Sequence, residues 1–215
     1  VICCNSSASK DEDKHVFGTI GKCVLNGQAK IENPNEEGYG ELLYKGPNVM
    51  IEYYGNEEAT KETIEPDGWL HTGDICKIDE EGYIFIAGRK KSVIVLKNGK
   101  NIFPEEMEAL VNKIDGVIES MIYPVLNNDA SDENDFKIGV LVVYDKAIMK
   151  EMYNCEDEEE IYSIINEKIK EINKTMPQYK AIRAGVTITE VPLIKTTTGK
   201  IKRYEELKKI EKNEK

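Results

Sequence analysis

Three polar segments of the chain carry residues whose types and spacing could do chemistry. The first is Pro192-Leu-Ile-Lys-Thr-Thr-Thr-Gly-Lys-Ile-Lys-Arg203. Threonine and glycine amides beside a lysine can cradle phosphate, which invites a P-loop reading of Gly199-Lys200. The spacing refuses it, because a Walker sequence needs glycine where Ile194 stands and serine or threonine where Ile201 stands. What remains is a plain linker, or a polar, flexible loop that delivers one ammonium, that of Lys200, into a site from outside. The second segment is Gly68-Trp-Leu-His-Thr-Gly-Asp74. Thr72-Gly-Asp is expected to be a short turn that presents a carboxylate at a strand start. Asp74 then either caps its own backbone or accepts from the two vicinal hydroxyls of a ribose. The third is Gly88-Arg-Lys-Lys-Ser92 followed by Leu96-Lys-Asn-Gly-Lys-Asn-Ile-Phe-Pro-Glu-Glu-Met-Glu108. There Arg89 reads as a hinge or as a solvated basic turn, and Asn98-Gly99 predicts a hairpin.

The elements that must position these residues fall into two textures. Residues 16 to 88 read as strands and turns, with glycines between short β-rich segments. Gly40 to Gly46, Ile75 to Asp79 and Tyr83 to Ala87 read as strands, the last two joined by the turn Asp79-Glu-Glu-Gly82. Asn56 to Thr63 reads as a short polar helix. From Arg89 helices and strands alternate: a strand over 92–96, a helix opened by Pro104 and running to about Lys113, and strands over 117–126 and 136–144. A helix from about Asp157 to Lys174 follows, with Ile161, Ile164, Ile165, Ile169 and Ile172 on one face. A strand over 185–189 and a charged helix from Arg203 close the pattern. Asn5 to Lys14 and Asn127 to Asp135 read as solvated loops. The fold class is therefore α+β, with a boundary near Gly88-Arg89. A small, barrel-like β-rich part (1–88) precedes a compact α+β domain (89–215) with a mixed sheet and flanking helices.

Composition excludes several classes. Across 215 residues, 40 acidic and 29 basic side chains give a formal charge of −11, the wrong balance for a general nucleic-acid binder, although a few local cations could hold a nucleotide. Five cysteines without a C-x-x-C pair and two histidines, His15 and His71, suggest neither a disulfide framework nor a metal site. No apolar run approaches a membrane span and no signal peptide is visible, so a cytoplasmic location is expected. The opening at Val1 reads as a fragment cut from a longer polypeptide.

Taken together, the order and wording of these segments carry more than each alone. Gly-Glu-Leu with Gly46, Trp-Leu-His-Thr-Gly-Asp, Asp-Glu-Glu-Gly-Tyr-Ile, Gly-Arg-Lys-Lys, Asn-Gly-Lys-Asn-Ile-Phe-Pro-Glu-Glu-Met-Glu and Thr-Thr-Gly-Lys-Ile-Lys-Arg follow one another as in the adenylate-forming superfamily. The chain resembles the C-terminal part of these enzymes over residues 16 to 207. The form Ile-Val-Leu-Lys-Asn-Gly-Lys-Asn-Ile-Phe-Pro-Glu-Glu is most similar to long-chain fatty-acid CoA ligases.

The resemblance implies an AMP-forming acid–thiol ligase. Such an enzyme joins a carboxylic acid, here a fatty acid, to ATP as an acyl-adenylate, then passes it to coenzyme A. Asp74 would hold the ribose hydroxyls, and Arg89 would add a second contact to ribose or phosphate. Lys91 would be the hinge about which the C-terminal domain swings between two half-reactions. Lys200 would be catalytic, its ammonium touching the acyl carboxylate and the α-phosphate. The backbone at Gly99 would face the pantetheine arm in the second step, with Lys97 and Lys100 as open candidates beside it. Most ATP contacts and Mg2+ would belong to sequence N-terminal to Val1, so the 215 residues alone are expected to be inactive. Two alternatives stand beside this reading: an adenylation domain that loads a carrier protein, for which no phosphopantetheine serine precedes Lys215, and a non-catalytic domain that keeps the fold. The joint presence of Asp74, Arg89 and Lys200 argues against the latter.

Overall fold

A computed structural model describes residues 2–4, 18–126 and 135–213. The tract Asn5 to Lys14 and nearly all of Asn127 to Asp135 lie outside the described residues. The chain is α+β and divides into two compact units, 1–92 and 93–215. The units therefore part between Ser92 and Val93, four residues beyond the boundary read from composition.

In the first unit, β1 (Cys3–Cys4) pairs with β2 (Lys22–Cys23), and four further strands form an antiparallel sheet. These are β3 (Gln28–Glu32), β4 (Gly40–Lys45), β5 (Leu70–Ile78) and β6 (Ile84–Arg89), in that spatial order. The barrel-like expectation needs correcting. β3 and β6 are the two edges of an open sheet and do not pair with each other. The short helix α1 (Glu57–Thr63) is capped by Asn56, whose side chain accepts from the Ala59 amide. The core gathers Leu42, Cys76 and Ile84, with Ile2, Ile20, Ile31 and Ile78 around them. A 3-10 turn, Lys90–Ser92, ends the unit where the sequence suggested the start of a strand.

In the second unit, the two-residue strands β7 (Ile94–Val95) and β8 (Asn101–Ile102) form a small hairpin ahead of α2 (Pro104–Val111). The main sheet holds β9 (Val117–Leu126), β10 (Phe136–Tyr144) and β11 (Ile182–Thr189), with β10 central, antiparallel to β9 and parallel to β11. Between β10 and β11 the chain crosses over through α3 (Lys146–Tyr153) and α4 (Glu158–Thr175). The pleat sends alternate residues to opposite faces. On one face Ile122, Ile138, Val140 and Val142 pack with Met107 and Val111 of α2 and with Ile161, Ile165 and Ile169 of α4. On the other, Met121, Tyr123, Leu141 and Val143 are covered by Leu193, Ile201 and the apolar side of α5 (Arg203–Asn213).

One turn recurs five times among the described residues. In it the first amide bonds the fifth carbonyl and a glycine amide at position four bonds the first carbonyl. It closes 35–39, 65–69, 79–83, 96–100 and 196–200. Each glycine has φ between +76 and +91°, a left-handed conformation that only glycine adopts at low cost.

Candidate functional site

Asp74 lies inside β5 rather than in a turn before a strand, which corrects the reading of Thr72-Gly-Asp. The pairing of β4 with β5 slips between Glu41/Ile75 and Leu43/His71, so β5 carries extra residues at this point. Gly73 sits in the bulge with φ +69°. The Thr72 hydroxyl donates to the Leu42 carbonyl at 2.8 Å and accepts from the Asp74 amide at 3.1 Å. Across the next strand pair, Asp74 is the register partner of Arg89. Arg89 Nη1 lies 2.9 Å from Asp74 Oδ1 and 3.4 Å from the Thr72 carbonyl. The structure thus brings a half-buried carboxylate and an exposed guanidinium side by side. That combination can accept from hydroxyls and donate to an anion within one small area.

Next to Gly73 lies Glu41, 6 % exposed, at the head of the apolar run of β4. Its Oε1 accepts from the Gly73 amide at 3.2 Å, and its Oε2 receives the Lys90 ammonium at 2.6 Å and faces His71 Nδ1 at 3.2 Å. Burial works to raise its pKa, but the hydrogen bonds and charges of Lys90 and His71 prevail and hold the carboxyl below the ordinary glutamate value. Glu32 also approaches His71 Nδ1, and the ligating atoms of Glu32, Glu41 and His71 lie within 4.8 Å of one another. Lys90 already brings a cation to that cluster.

Lys200 follows Gly199 at the end of the 196–200 turn. Lys195 bridges Ile201, the Lys202 amide donates to the Ile194 carbonyl at 2.8 Å, and the Lys200 amide donates to Thr196 Oγ1 at 3.1 Å. The segment therefore takes the form of a hairpin closed by the 196–200 turn. Its neighbouring cations are engaged: Lys195 with Glu119, Lys202 with Glu205, and Arg203 with Glu105 and Glu108. Lys200, exposed at the tip, has no such partner among the described residues.

Gly99, φ +76°, occupies the same position of the same turn in the β7–β8 hairpin. The two lysines beside it are both occupied. Lys97 pairs with Asp135 at 2.6 Å, and the Lys100 ammonium lies 4.4 Å from the centre of the Tyr179 ring. Lys91 is exposed in the 3-10 turn at the end of the first unit.

Sequence reasoning gave no role to Glu41, Glu108, Glu119 or Glu206, the buried carboxylates among the described residues. The available signal was a glutamate inside an apolar run, as in Glu41-Leu-Leu-Tyr44 and Ile118-Glu-Ser-Met-Ile122. Such a side chain needs partners if it is to be buried.

Comparison with known proteins gives the family. Residues 91–213, more than half of the chain, match the AMP-binding enzyme C-terminal domain, and the chain belongs to that family. It is similar to 4-coumarate–CoA ligase-like 4 of Oryza sativa subsp. japonica, 32% identical over 209 residues that cover 94% of this chain and 34% of that protein. It is also similar to 2-succinylbenzoate–CoA ligase of Staphylococcus epidermidis, 31% identical over 197 residues, 92% of this chain and 37% of that one. Among solved structures, O-succinylbenzoate coenzyme A synthetase from Bacillus subtilis, in complex with the acyl-adenylate intermediate OSB-AMP, superposes with a TM-score of 0.67. It is 26% identical and covers 88% of this chain and 35% of that chain. This chain spans about a third of the length of the relatives it matches. No described helix is long and apolar enough to cross a membrane.

Proposed function

We propose that this chain is the C-terminal part of an ATP-dependent, AMP-forming acid–CoA ligase, and that Lys200 is its catalytic lysine. The observation that carries the reading is an ammonium with no ion-pair partner among the described residues, on a hairpin whose other cations are each paired with a glutamate. An ammonium without a carboxylate partner need not break an ion pair to meet an incoming anion. In the adenylation step it would sit between the acyl carboxylate and the α-phosphate, offsetting their repulsion and the charge that develops as the oxygen attacks. Asp74 would accept from the ribose hydroxyls, and Arg89, already held against it at 2.9 Å, would add a donor to ribose or phosphate. Lys91 would be the hinge, and the backbone at Gly99 would pass the pantetheine arm of coenzyme A in the second step. The Mg2+ and most triphosphate contacts would come from outside these 215 residues. The B. subtilis synthetase, similar to this chain, has been solved with ATP and a magnesium ion.

The substrate is assigned as a carboxylic acid. The wording of 94–106 favours a fatty acid, whereas the relatives reported above bear the names of 4-coumarate and succinylbenzoate ligases. A substrate panel chooses between them.

The test is Lys200→Ala in the full-length protein, read by ATP–pyrophosphate exchange with fatty and aryl acids. The expected loss is about 10²- to 10³-fold, with thioester formation from synthetic acyl-adenylate changed only a few-fold. Undiminished exchange would overturn the assignment.

A further inference from the structure

The buried carboxylates of the second unit converge on one segment. Glu108 of α2, Glu119 of β9 and Glu206 of α5 are 7 %, 8 % and 3 % exposed. A buried carboxylate is costly unless its oxygens are filled, and here the arms of the 196–200 hairpin help to fill all three. Glu119 Oε1 accepts the Leu193 amide at 2.9 Å and its other oxygen takes Lys195. Glu206 Oε1 accepts the Ile194 amide at 2.6 Å and the Lys209 ammonium at 3.0 Å. Glu108 grips Arg203 in a two-pronged bond of 2.7 and 2.8 Å while accepting the Ile122 amide at 2.7 Å. The incoming arm is thus held at three consecutive residues, 193 to 195, and the outgoing arm at 203. Leu193 anchors the incoming arm further, in the apolar cluster with Met121, Tyr123 and Leu141.

We infer that Glu119 and Glu206 are positioning residues for Lys200: they fix the backbone of the incoming arm, so that the ammonium is aimed by the whole C-terminal unit and not by a loop that closes on its own. This rests on the reading of Lys200 given above. The chemistry agrees with the geometry. Amides facing a fixed carboxylate cannot turn without leaving a buried charge unpaired. The tip beyond them is a closed turn with Gly199 already in its left-handed conformation. Displacing a reacting group by about 1 Å costs roughly 10²-fold in rate, so loss of aim is measurable even where the hairpin survives.

The experiment compares Glu119→Leu, Glu206→Leu and Glu119→Gln with Lys200→Ala, all in the full-length protein. It reads three quantities: pyrophosphate exchange, thioester formation from synthetic acyl-adenylate, and hydrogen exchange of the peptide covering 190–203. The leucine variants are expected to lose about 10²-fold in pyrophosphate exchange, to keep thioester formation within a few-fold, and to exchange faster in that peptide. Glu119→Gln retains an oxygen for the Leu193 amide and should recover most of the loss. If both leucine variants keep full pyrophosphate exchange while Lys200→Ala loses it, the positioning role is wrong and the assignment of Lys200 stands. Equal losses in both half-reactions also overturn it, since they report general damage. Should a leucine variant fail to fold, Glu119→Asp and Glu206→Asp, which keep the charge but draw it one methylene back from the Leu193 and Ile194 amides, decide by the same split. An unaffected Lys200→Ala would instead remove the underlying assignment.

Discussion

Glu41 takes the Lys90 ammonium on one carboxylate oxygen at 2.6 Å and the Gly73 amide on the other at 3.2 Å. One buried side chain therefore grips the residue before Asp74, on β5, and the residue after Arg89, in the 3-10 turn that follows β6. The pair that could meet a nucleotide stands on a support the sequence alone did not reveal.

That support should be acid-sensitive. Burial raises the Glu41 pKa, and Lys90 and His71 lower it by more, leaving the folded value below the ordinary 4.5. A carboxyl with a depressed folded pKa contributes stability that is fully present above its unfolded pKa and lost as pH falls through the folded one. Glu41→Gln should lower Tm near neutrality and make the acid limb of the Tm–pH profile shallower below about pH 4.5. An acid limb of unchanged slope would show that Glu41 is not the group being titrated.

Asp74 and Arg89 should behave as a coupled pair toward nucleotide. Asp74→Asn and Arg89→Lys, measured by calorimetric titration of the full-length protein with AMP, should each weaken binding by about tenfold or more, the loss of a hydrogen bond to a charged group. The double variant should fall short of the product of the two effects, because their side chains touch. Strict additivity, or unchanged affinity, counts against a shared site.

Two left-handed glycines should differ sharply in tolerance. Gly199 has φ +79° with open space where a Cβ would stand, so Gly199→Ala should cost about 1–2 kcal/mol of backbone strain. At Gly116, φ +86°, a Cβ would collide with Met149 Sδ, adding overpacking to the same strain. Urea denaturation should rank Gly116→Ala as the more destabilising. In a Met149→Ala background its added cost should shrink toward that of Gly199→Ala, and an unchanged cost there would refute the steric account.

Arg203 should be the least replaceable cation of the second unit. Removing it leaves Glu108 buried without its two-pronged partner, which typically costs about 3–5 kcal/mol. Arg203→Met is therefore expected to destabilise strongly, and a Glu108→Met, Arg203→Met double variant to recover much of the loss in denaturant midpoint. No recovery in the double variant would mean that the packing of Arg203, rather than its charge, matters.

Legibility in the sequence followed periodicity. The strands over 117–126 and 136–144 and the isoleucine stripe of α4 stood out because their apolar residues repeat with the pleat or the helix. Helix α3 did not, since it buries only Met149, and its clearest signal was the capping residue Asp145, which accepts from the Ala147 and Ile148 amides. β3 was missed because its exposed and half-exposed residues mimic a loop. Asp74, Arg89, Gly99 and Lys200 were singled out by their wording, but the state of their surroundings was not readable. Thr72-Gly-Asp looked like a turn because a bulge needs the same left-handed glycine. Glu119 is spelled like any surface glutamate. Only its place on the same face of β9 as Met121 and Tyr123 hints that the 193–195 segment covers it.

The parallel seating of β11 against β10 also bears on how the chain comes off the ribosome. β9 and β10 can close as neighbours as soon as Tyr144 has emerged, but β10 then has one edge unfilled. Its residues Ile138 to Tyr144 are all buried in the finished unit. Until α3, α4 and Ile182–Thr189 follow, a nascent chain displays an apolar strand with free amides and carbonyls along that edge, the arrangement that recruits other strands. Translation arrested between Asp145 and Ala181 should therefore yield products that depend on chaperones or aggregate.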